Sequence, residues 1–127
     1  MDQAQRLSAA RQFAVEAARI VSQTHGHNVV VLDVSAVSPI TDFFVLATGT
    51  SPRQMRGICD EVQELGATQN FKPLSLSGYD SDSWILVDFV DVVLHLFNHE
   101  SRAYYDLDGL WGDAKRVEWQ ESPALAK

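Results

Sequence analysis

The chain has 127 residues, of which 46% are hydrophobic and 21% charged, a composition that fits one globular domain and excludes a largely disordered chain. Its formal net charge is −7, and the acidic excess lies in residues 80–121, which carry ten acidic and three basic side chains. Such a surface repels phosphate backbones and argues against non-specific nucleic-acid binding; it suits a basic protein partner, or it serves only solubility.

The sequence predicts a cytosolic protein. Its one cysteine, Cys59, cannot form an internal disulfide, which suits a reducing compartment. The N-terminal segment lacks the shape of a signal peptide because charges interrupt its apolar residues. No run approaches the roughly 18 apolar residues that a transmembrane helix requires, so we expect no membrane-spanning segment.

The first half of the chain predicts a helix followed by two buried strands. Residues 3–24 carry apolar side chains three and four positions apart, with Asp2 as a candidate N-cap and Gly26 as a stop signal. The apolar face is mostly alanine, which disfavours a membrane-surface helix. Residues 28–34 and 42–48 are nearly continuous in apolar residues, which is typical of central strands covered on both faces.

A second helix is predicted to begin with a capping box. Ser51 would accept a hydrogen bond from the backbone of Gln54, while the Gln54 side chain returns to the backbone N–H of Ser51. Pro52 suits the first helical position, and Gly66 is the expected stop. A short strand over residues 74–76 would then complete a βαβ crossover.

The next segment predicts an antiparallel hairpin, because only Phe89 and Val90 separate strands over residues 83–88 and 91–97. One face of the hairpin is aliphatic and is the candidate for a helix-covered core: Ile85, Val87, Val92, Leu94 and Leu96. The opposite face mixes aromatic and charged side chains: Trp84, Leu86, Asp88, Asp91, Val93, His95 and Phe97.

The C-terminal part predicts little regular structure. Residues 99–114 suggest one or two short helical turns, although Gly109 weakens the pattern. Residues 115–127 lack periodicity and are expected to form a loosely structured tail. The predicted architecture is therefore an α/β domain over residues 1–114, with a mixed five-stranded sheet and helices mainly on one face.

An enzymatic function has weak support in these motifs. The turn Gly49-Thr50-Ser51 before a helix could cradle a phosphate, as in nucleotidyltransferases, but it lacks a P-loop lysine and a dinucleotide glycine pattern. The acidic pairs at positions 80 and 82 and at positions 88 and 91 lie in or beside loops. The sequence also has no cluster of basic residues that could bind a triphosphate. We expect a helix cap, no enzymatic activity, no metal and no cofactor.

The remaining reactive side chains favour structural interpretations. His25 and His27 have no nearby cysteine or carboxylate, so zinc binding is not expected. Cys59 is expected to be a buried, inert thiol. His95 lies mid-strand between two leucines, which leaves two interpretations open: a histidine hydrogen-bonded at the edge of a packed layer, or a contact with a partner.

Aromatic side chains concentrate in the acidic segment: Trp84, Phe97, Tyr104, Tyr105 and Trp111. Aromatic residues most often fill cores, but Trp and Tyr are also enriched at binding hot spots. An apolar patch with carboxylates at its rim suits a basic protein partner.

Six stretches, in this order, resemble the ribosomal silencing factor (iojap-like) family over about residues 10–114. They are VLDV at 31–34, ITDFFV at 40–45, TGTS at 48–51, WILVD at 84–88, DVVLHLF at 91–97 and YYDLDGLW at 104–111. The resemblance implies a nucleotidyltransferase-like topology without the catalytic set. It also implies a translational repressor that binds ribosomal protein L-fourteen on the large ribosomal subunit and blocks joining of the small subunit. Several family members form homodimers.

The resemblance also implies a contact patch, because Trp84 matches the tryptophan of the family's W-x-x-x-D strand. Together with the aromatic and acidic pattern, it gives these expected partner-binding residues: Trp84, His95, Phe97, Tyr105, Asp106, Leu107, Asp108, Leu110 and Trp111. Three positions depart from the family, and one of them, Asp108, stands where glutamate is usual and keeps the charge. Val90 stands where glycine is usual, which puts the hairpin turn in doubt because valine resists a positive φ. Gly109 stands where a larger residue is common. A homodimeric regulator that acts away from ribosomes is an alternative function.

Overall fold

The N-terminal helix α1 spans Gln3–Gln23 in the computed structural model, which describes residues 2–120. Its capping box is reciprocal: the Asp2 carboxylate accepts from the Gln5 backbone at 2.8 Å, and the Gln5 side chain accepts from the Asp2 backbone at 3.0 Å. The Gly26 N–H donates to the Val21 carbonyl just beyond the helix. The predicted helix and its N-cap are thus confirmed.

The other elements follow in chain order: β1 (His27–Asp33), β2 (Phe43–Thr48), α2 (Pro52–Thr68), β3 (Ser75–Ser77), β4 (Trp84–Asp88), β5 (Val92–Phe97), α3 (His99–Tyr105), α4 (Leu107–Leu110) and β6 (Lys115–Val117). The strands form one mixed sheet in the order β3-β4-β5-β2-β1-β6. Only β2 and β5 pair in parallel. Every residue of both strands is buried, as the continuous apolar runs predict for central strands.

The sheet has six strands, so the prediction of five was wrong. Lys115–Val117 pairs antiparallel with β1, and Val117 lies opposite Val31 in the core. Trp119 holds the segment after β6 against β1 and α1: its indole N–H donates to the Val29 carbonyl at 3.1 Å, and its own carbonyl accepts from Arg19 at 2.8 Å. Three residues are too few to show a strand period. The rest of the predicted tail, residues 121–127, lies outside the described residues.

Helix α2 begins as predicted at Pro52, with Ser51 accepting from the Gln54 backbone at 3.1 Å. The second half of the predicted box was wrong. The Gln54 side-chain oxygen accepts instead from the Thr50 backbone at 2.6 Å. The predicted stop at Gly66 was also wrong, since the helix continues to Thr68. Gly66 is needed for packing, because a Cβ there would collide with the Phe71 carbonyl.

The α2 connection and the hairpin place the remaining strands. Strand β3 starts one residue later than predicted and runs in the direction of β2, but β4 and β5 lie between them. The predicted hairpin is confirmed, with Trp84 opposite Phe97 and Leu86 opposite His95.

The two long helices cover one face of the sheet. The five aliphatic residues predicted for the covered core pack there with apolar residues of α1 and α2: Ile85, Val87, Val92, Leu94 and Leu96. Phe13 stacks on Phe71 at 4.5 Å and meets Phe89 edge-on at 5.0 Å, which closes the core between α1 and the loop after α2. The predicted assignment of faces is confirmed.

Candidate functional site: the open face of the sheet

The second face of the sheet, which we call the open face, points away from α1 and α2. Its β1–β2 side holds a smaller core of Leu32, Val34, Phe44, Leu46 and Val93. Leu107 and Trp111, from α4 and the turn after it, pack over this core. Neither α1 nor α2 covers the β4–β5 side, and the β4 side chains there are partly exposed: Trp84, Leu86 and Asp88.

An aromatic cluster, formed by Trp84, His95, Phe97, Tyr104 and Tyr105, occupies the upper end of the open face, where β5 leads into α3. The Trp84 ring lies 4.9 Å from Phe97 and 4.7 Å from Tyr105. Tyr104 meets Tyr105 edge-on at 5.0 Å. Exposure rises outward, from Phe97 at 0% to Tyr105 at 47% and Tyr104 at 81%. The cluster therefore has a buried base and an exposed rim.

A hydrogen bond between Trp84 and His95 orients the centre of the cluster. The indole N–H donates to Nδ1 of His95 at 3.2 Å, so the neutral imidazole carries its proton on Nε2. Burial lowers the pKa of His95 to about 4, which keeps Nδ1 free to accept at neutral pH. His95 thus fits the interpretation of a buried, hydrogen-bonded histidine, and it positions Trp84.

Two expected contact residues, Phe97 and Asp108, are engaged within the protein. Phe97 is fully buried beneath Trp84, where it supports the cluster. Both carboxylate oxygens of Asp108 accept from Arg102, at 2.9 and 3.0 Å. This bidentate pairing lowers the pKa of Asp108 and neutralises much of its charge. Arg102 also donates to the Thr48 hydroxyl at 3.2 Å, so the pair anchors α4 to the end of β2.

Asp106 joins α3 to α4 in a left-handed conformation, with φ 45° and ψ 54°. Its carboxylate caps α4 by accepting from the Gly109 backbone at 3.2 Å. A Cβ on Gly109 would collide with that carboxylate, so the glycine that departs from the family pattern fits this cap. Asp106 and Leu110 are both exposed at the surface.

An apolar groove of about 510 Å³ extends the open face toward the hairpin turn. We call it the lower groove, and its lining residues are Ser38, Pro39, Ile40, Thr41, Phe44, Leu74, Leu86, Asp88, Val90, Val93, His95 and Trp111. Sequence reasoning missed this feature, because Ile40, Leu74 and Val90 come from three separate loops. Apolar residues exposed in loops, such as Ile40 directly after Pro39, were the available signal.

The hairpin turn places Val90 at the rim of this groove. Val90 has a φ of 76°, in the left-handed region that a β-branched residue rarely adopts. The Asp91 backbone donates to the Phe89 carbonyl at 3.0 Å, and the Asp88 side chain accepts from the Val90 backbone at 2.8 Å. The turn therefore keeps the conformation that suits glycine and holds valine there under strain.

The turn at Gly49–Ser51 is arranged as a helix cap. The Gly49 N–H donates to the Phe97 carbonyl at 2.7 Å, and both the N–H and the hydroxyl of Thr50 donate to Gln54. These donors are therefore engaged within the protein, so few free N–H or hydroxyl groups remain in this turn to bind a phosphate. Within residues 2–120, no group of three or more histidine, cysteine or carboxylate side chains is placed to hold a metal ion.

Cys59 is buried, and burial raises the pKa of its thiol to about 11, so it is protonated and inert at neutral pH. Of the helices in the described part of the chain, none combines the length and hydrophobicity required to cross a bilayer.

Similarity to known proteins identifies a family for this chain. A sequence model described as "Ribosomal silencing factor during starvation" matches residues 7–127, which includes the segment after Ala114. The ribosomal silencing factor RsfS of Halalkalibacterium halodurans is 39% identical over 107 residues, covering 84% of this chain and 89% of that protein. A murine protein named "Mitochondrial assembly of ribosomal large subunit protein 1" is 28% identical over 72% of this chain and 42% of its own length.

The fold agrees with these sequence matches. A crystal structure of a protein from Chromobacterium violaceum superposes with a TM-score of 0.73 and 29% sequence identity, covering 98% of this chain and 97% of that one. The relatives are named as silencing factors, which describes regulators, and not as enzymes. On these matches the chain belongs to the ribosomal silencing factor family.

Proposed function

We propose that this protein binds the large ribosomal subunit through the basic ribosomal protein L-fourteen and thereby blocks joining of the small subunit. The observation that carries this proposal is the half-exposed aromatic cluster on the open face. Family membership and the name of the murine relative, which refers to the ribosomal large subunit, support the choice of particle.

The exposed rim of the cluster has the chemistry of a binding hot spot. Trp84 is partly exposed, Tyr105 is 47% exposed, and both rings pack against the buried Phe97. Rings held in place lose little entropy on binding, and their apolar area and polar tips suit a protein surface. Leu110, at 72% exposure, adds aliphatic surface nearby on α4.

The charges around the cluster favour a basic protein over RNA. Asp106 and Glu100 are exposed carboxylates on the α3–α4 segment. Two cations lie beside these carboxylates. Arg102 is engaged by Asp108 and contributes little free positive charge, so the exposed Arg116 is the one that offsets part of the negative charge. The electrostatic field of this region therefore attracts a basic protein and repels the phosphates that surround it on a ribosome. Asp108 contributes less to this steering than the sequence suggested.

The proposed mechanism is steric. The chain exposes 7497 Å² of surface, and a standard interface uses about 800 Å² on each partner. About a tenth of the surface can therefore anchor the protein, while the rest projects into the space that the small subunit would occupy. The cytosol is the expected site of action; the homodimer and the nucleotidyltransferase-like topology stay predictions.

Cosedimentation with isolated large ribosomal subunits tests the proposal. We expect the protein to pellet with them at low salt and less completely at moderate salt, because salt screens the charge attraction. Light scattering should then report slower formation of joined ribosomes when the protein is present. Failure to pellet under both conditions would overturn the proposal.

A tyrosine pair supplies matched variants for this experiment. Tyr105→Ala removes a ring from the exposed rim of the cluster and should weaken binding about tenfold or more. Tyr79→Ala removes a ring that packs on the opposite, helix-covered side of the sheet and bonds to Asp60 at 2.9 Å. If both folded variants bind equally well, the aromatic cluster is not part of the interface.

A further inference from the structure

We propose that the lower groove is a second binding subsite, which takes a lysine or arginine side chain of the same basic protein partner. The aliphatic stem of that side chain would lie in the groove and its cationic head would meet Asp88. This inference rests on the proposed function and adds to it a site that the aromatic residues did not indicate.

The walls of the groove suit an aliphatic stem. Ile40 is 84% exposed, Leu74 71% and Val90 50%, and all three line the same cavity. Separate exposed apolar side chains are common on protein surfaces, but a contiguous set around a cavity indicates an interaction site. A volume of about 510 Å³ falls within the range of about 300–1,000 Å³ that is usual for ligand pockets.

The charge of the groove selects the head group. Asp88 is the charged residue among those that line the cavity, and none of the others is lysine or arginine. One of its oxygens accepts from the Val90 backbone, and a carboxylate can accept further hydrogen bonds at its other oxygen. The carboxylates of Asp33, Asp42 and Asp91 interact at the same end of the sheet, with Arg6 as the opposing cation, and burial, followed by the charge of Asp91, raises the pKa of Asp42.

Thr41 supplies a further polar group in the wall. It is 7% exposed, and its hydroxyl has no hydrogen-bond partner among the described residues. A buried polar group without a hydrogen-bond partner has a free-energy cost. An ammonium or guanidinium group brings several donors, so a cationic head that reaches this wall can recover part of that cost.

The groove and the aromatic cluster can bind one partner together. His95 belongs to both, since it accepts from Trp84 and also lines the groove. Leu86, directly opposite His95 in the hairpin, continues the apolar surface between them. A protein that covers Trp84 and Tyr105 would therefore extend naturally over the groove.

Two aliphatic residues of one loop provide the test. Ile40→Lys places a cation in the groove, where it would occupy the subsite and repel a basic partner. Val37→Lys is the matched control, because Val37 is also an exposed aliphatic residue of the β1–β2 loop, at 50%, but does not line the groove. Both variants should fold, which thermal unfolding would check.

Cosedimentation with isolated large subunits would be measured for the natural chain and both variants. We expect Ile40→Lys to weaken binding at least tenfold and Val37→Lys to change it less than twofold. If the natural chain binds and both variants bind equally well, the groove proposal fails while the proposed function stands. If the natural chain does not bind, both fail.

Asp88→Asn tests the charge separately, because asparagine keeps an oxygen to accept from the Val90 backbone. We expect binding to weaken severalfold and to depend less on salt. Tighter binding by Asp88→Asn would indicate that the groove faces RNA phosphate, and it would overturn the assignment of a cationic side chain.

Discussion

The two faces of the sheet are built from the same strands but differ in polarity and cover. Alternate residues of β5 show the contrast: Val92, Leu94 and Leu96 lie under α1 and α2, while Val93, His95 and Phe97 lie on the open face. The buried polar residues among those described are Thr41, Thr48 and His95, and all three lie on the open-face side. Apolar packing therefore dominates one face, and the other combines packing with hydrogen bonds that orient exposed rings.

This difference assigns separate roles to neighbouring residues. An aliphatic core is stabilised by close packing without directional bonds. Hydrogen-bonded polar groups in a partly buried layer hold side chains in defined orientations, which favours specific recognition. Substitutions on the covered face should thus act on stability, and substitutions on the open face should act mainly on binding.

Leu94→Ala should have the largest effect. Leu94 is fully buried on the covered face, so removing its side chain should lower the free energy of unfolding by about 3 kcal/mol. Urea unfolding measures the loss. At low temperature, where the variant remains folded, its affinity for large subunits should match that of the natural chain; a large affinity change would break the division between the faces.

Trp84→Ala should cost at least about 2 kcal/mol of binding free energy, roughly thirtyfold in affinity. The reason is that Trp84 links the buried base of the cluster to its exposed rim. Cosedimentation titrations measure this effect, with Trp84→Phe as the variant that keeps an aromatic ring but lacks the N–H. Unchanged binding by a folded Trp84→Ala protein would refute the assignment.

Acid should destabilise the open face through His95. Its pKa is lowered from 6.5 to about 4 in the folded protein, so the unfolded chain takes up the proton first as the pH falls. The stability that the protein gains from burying neutral His95 is fully present above pH 6.5 and is lost progressively as the pH falls toward 4. Between about pH 7.5 and 5 the loss should reach about 2 kcal/mol.

Urea unfolding across this pH range measures the His95 contribution. His95→Gln is the control, because glutamine does not titrate while the exposed histidines remain. Parallel pH profiles for the two proteins would contradict the role assigned to burial of His95.

Val90→Gly should have the smallest effect. We expect it to raise the stability of the protein and to weaken its binding to the partner. Glycine adopts the φ of 76° at this turn without strain, so the free energy of unfolding should rise by about 1 kcal/mol. Binding should weaken slightly, because the groove loses an apolar wall. A variant that is both less stable and equally tight in binding would contradict this account.

Local patterns in the sequence predicted most of the fold. The alternation of residues 91–97 identified both faces of β5, and the Asp2 cap located the start of α1. Strand β6 escaped prediction because three residues carry no detectable period. The Gln54 side chain accepts a hydrogen bond from the backbone of Thr50 and not of Ser51, and the local sequence does not distinguish these two partners.

The candidate site was predictable only where it is local in sequence. Trp84, Tyr105 and Trp111 fall within one segment, so composition and family resemblance could select them. The pairing of Asp108 with Arg102 depends on a left-handed residue between two short helices. The lower groove depends on loops far apart in the chain, and long-range contacts of that kind leave no local pattern.

The parallel pairing of β2 with β5 also has a consequence for synthesis of the chain. Residues 43–48 at the centre of the sheet pair with β1 on one side and with residues 92–97 on the other, and β1 gains its outer neighbour from residues 115–117. A nascent chain that ends before these segments cannot assemble the face that carries Trp84. The sheet that carries Trp84 is therefore complete only after residues 92–97 and 115–117 have been synthesised.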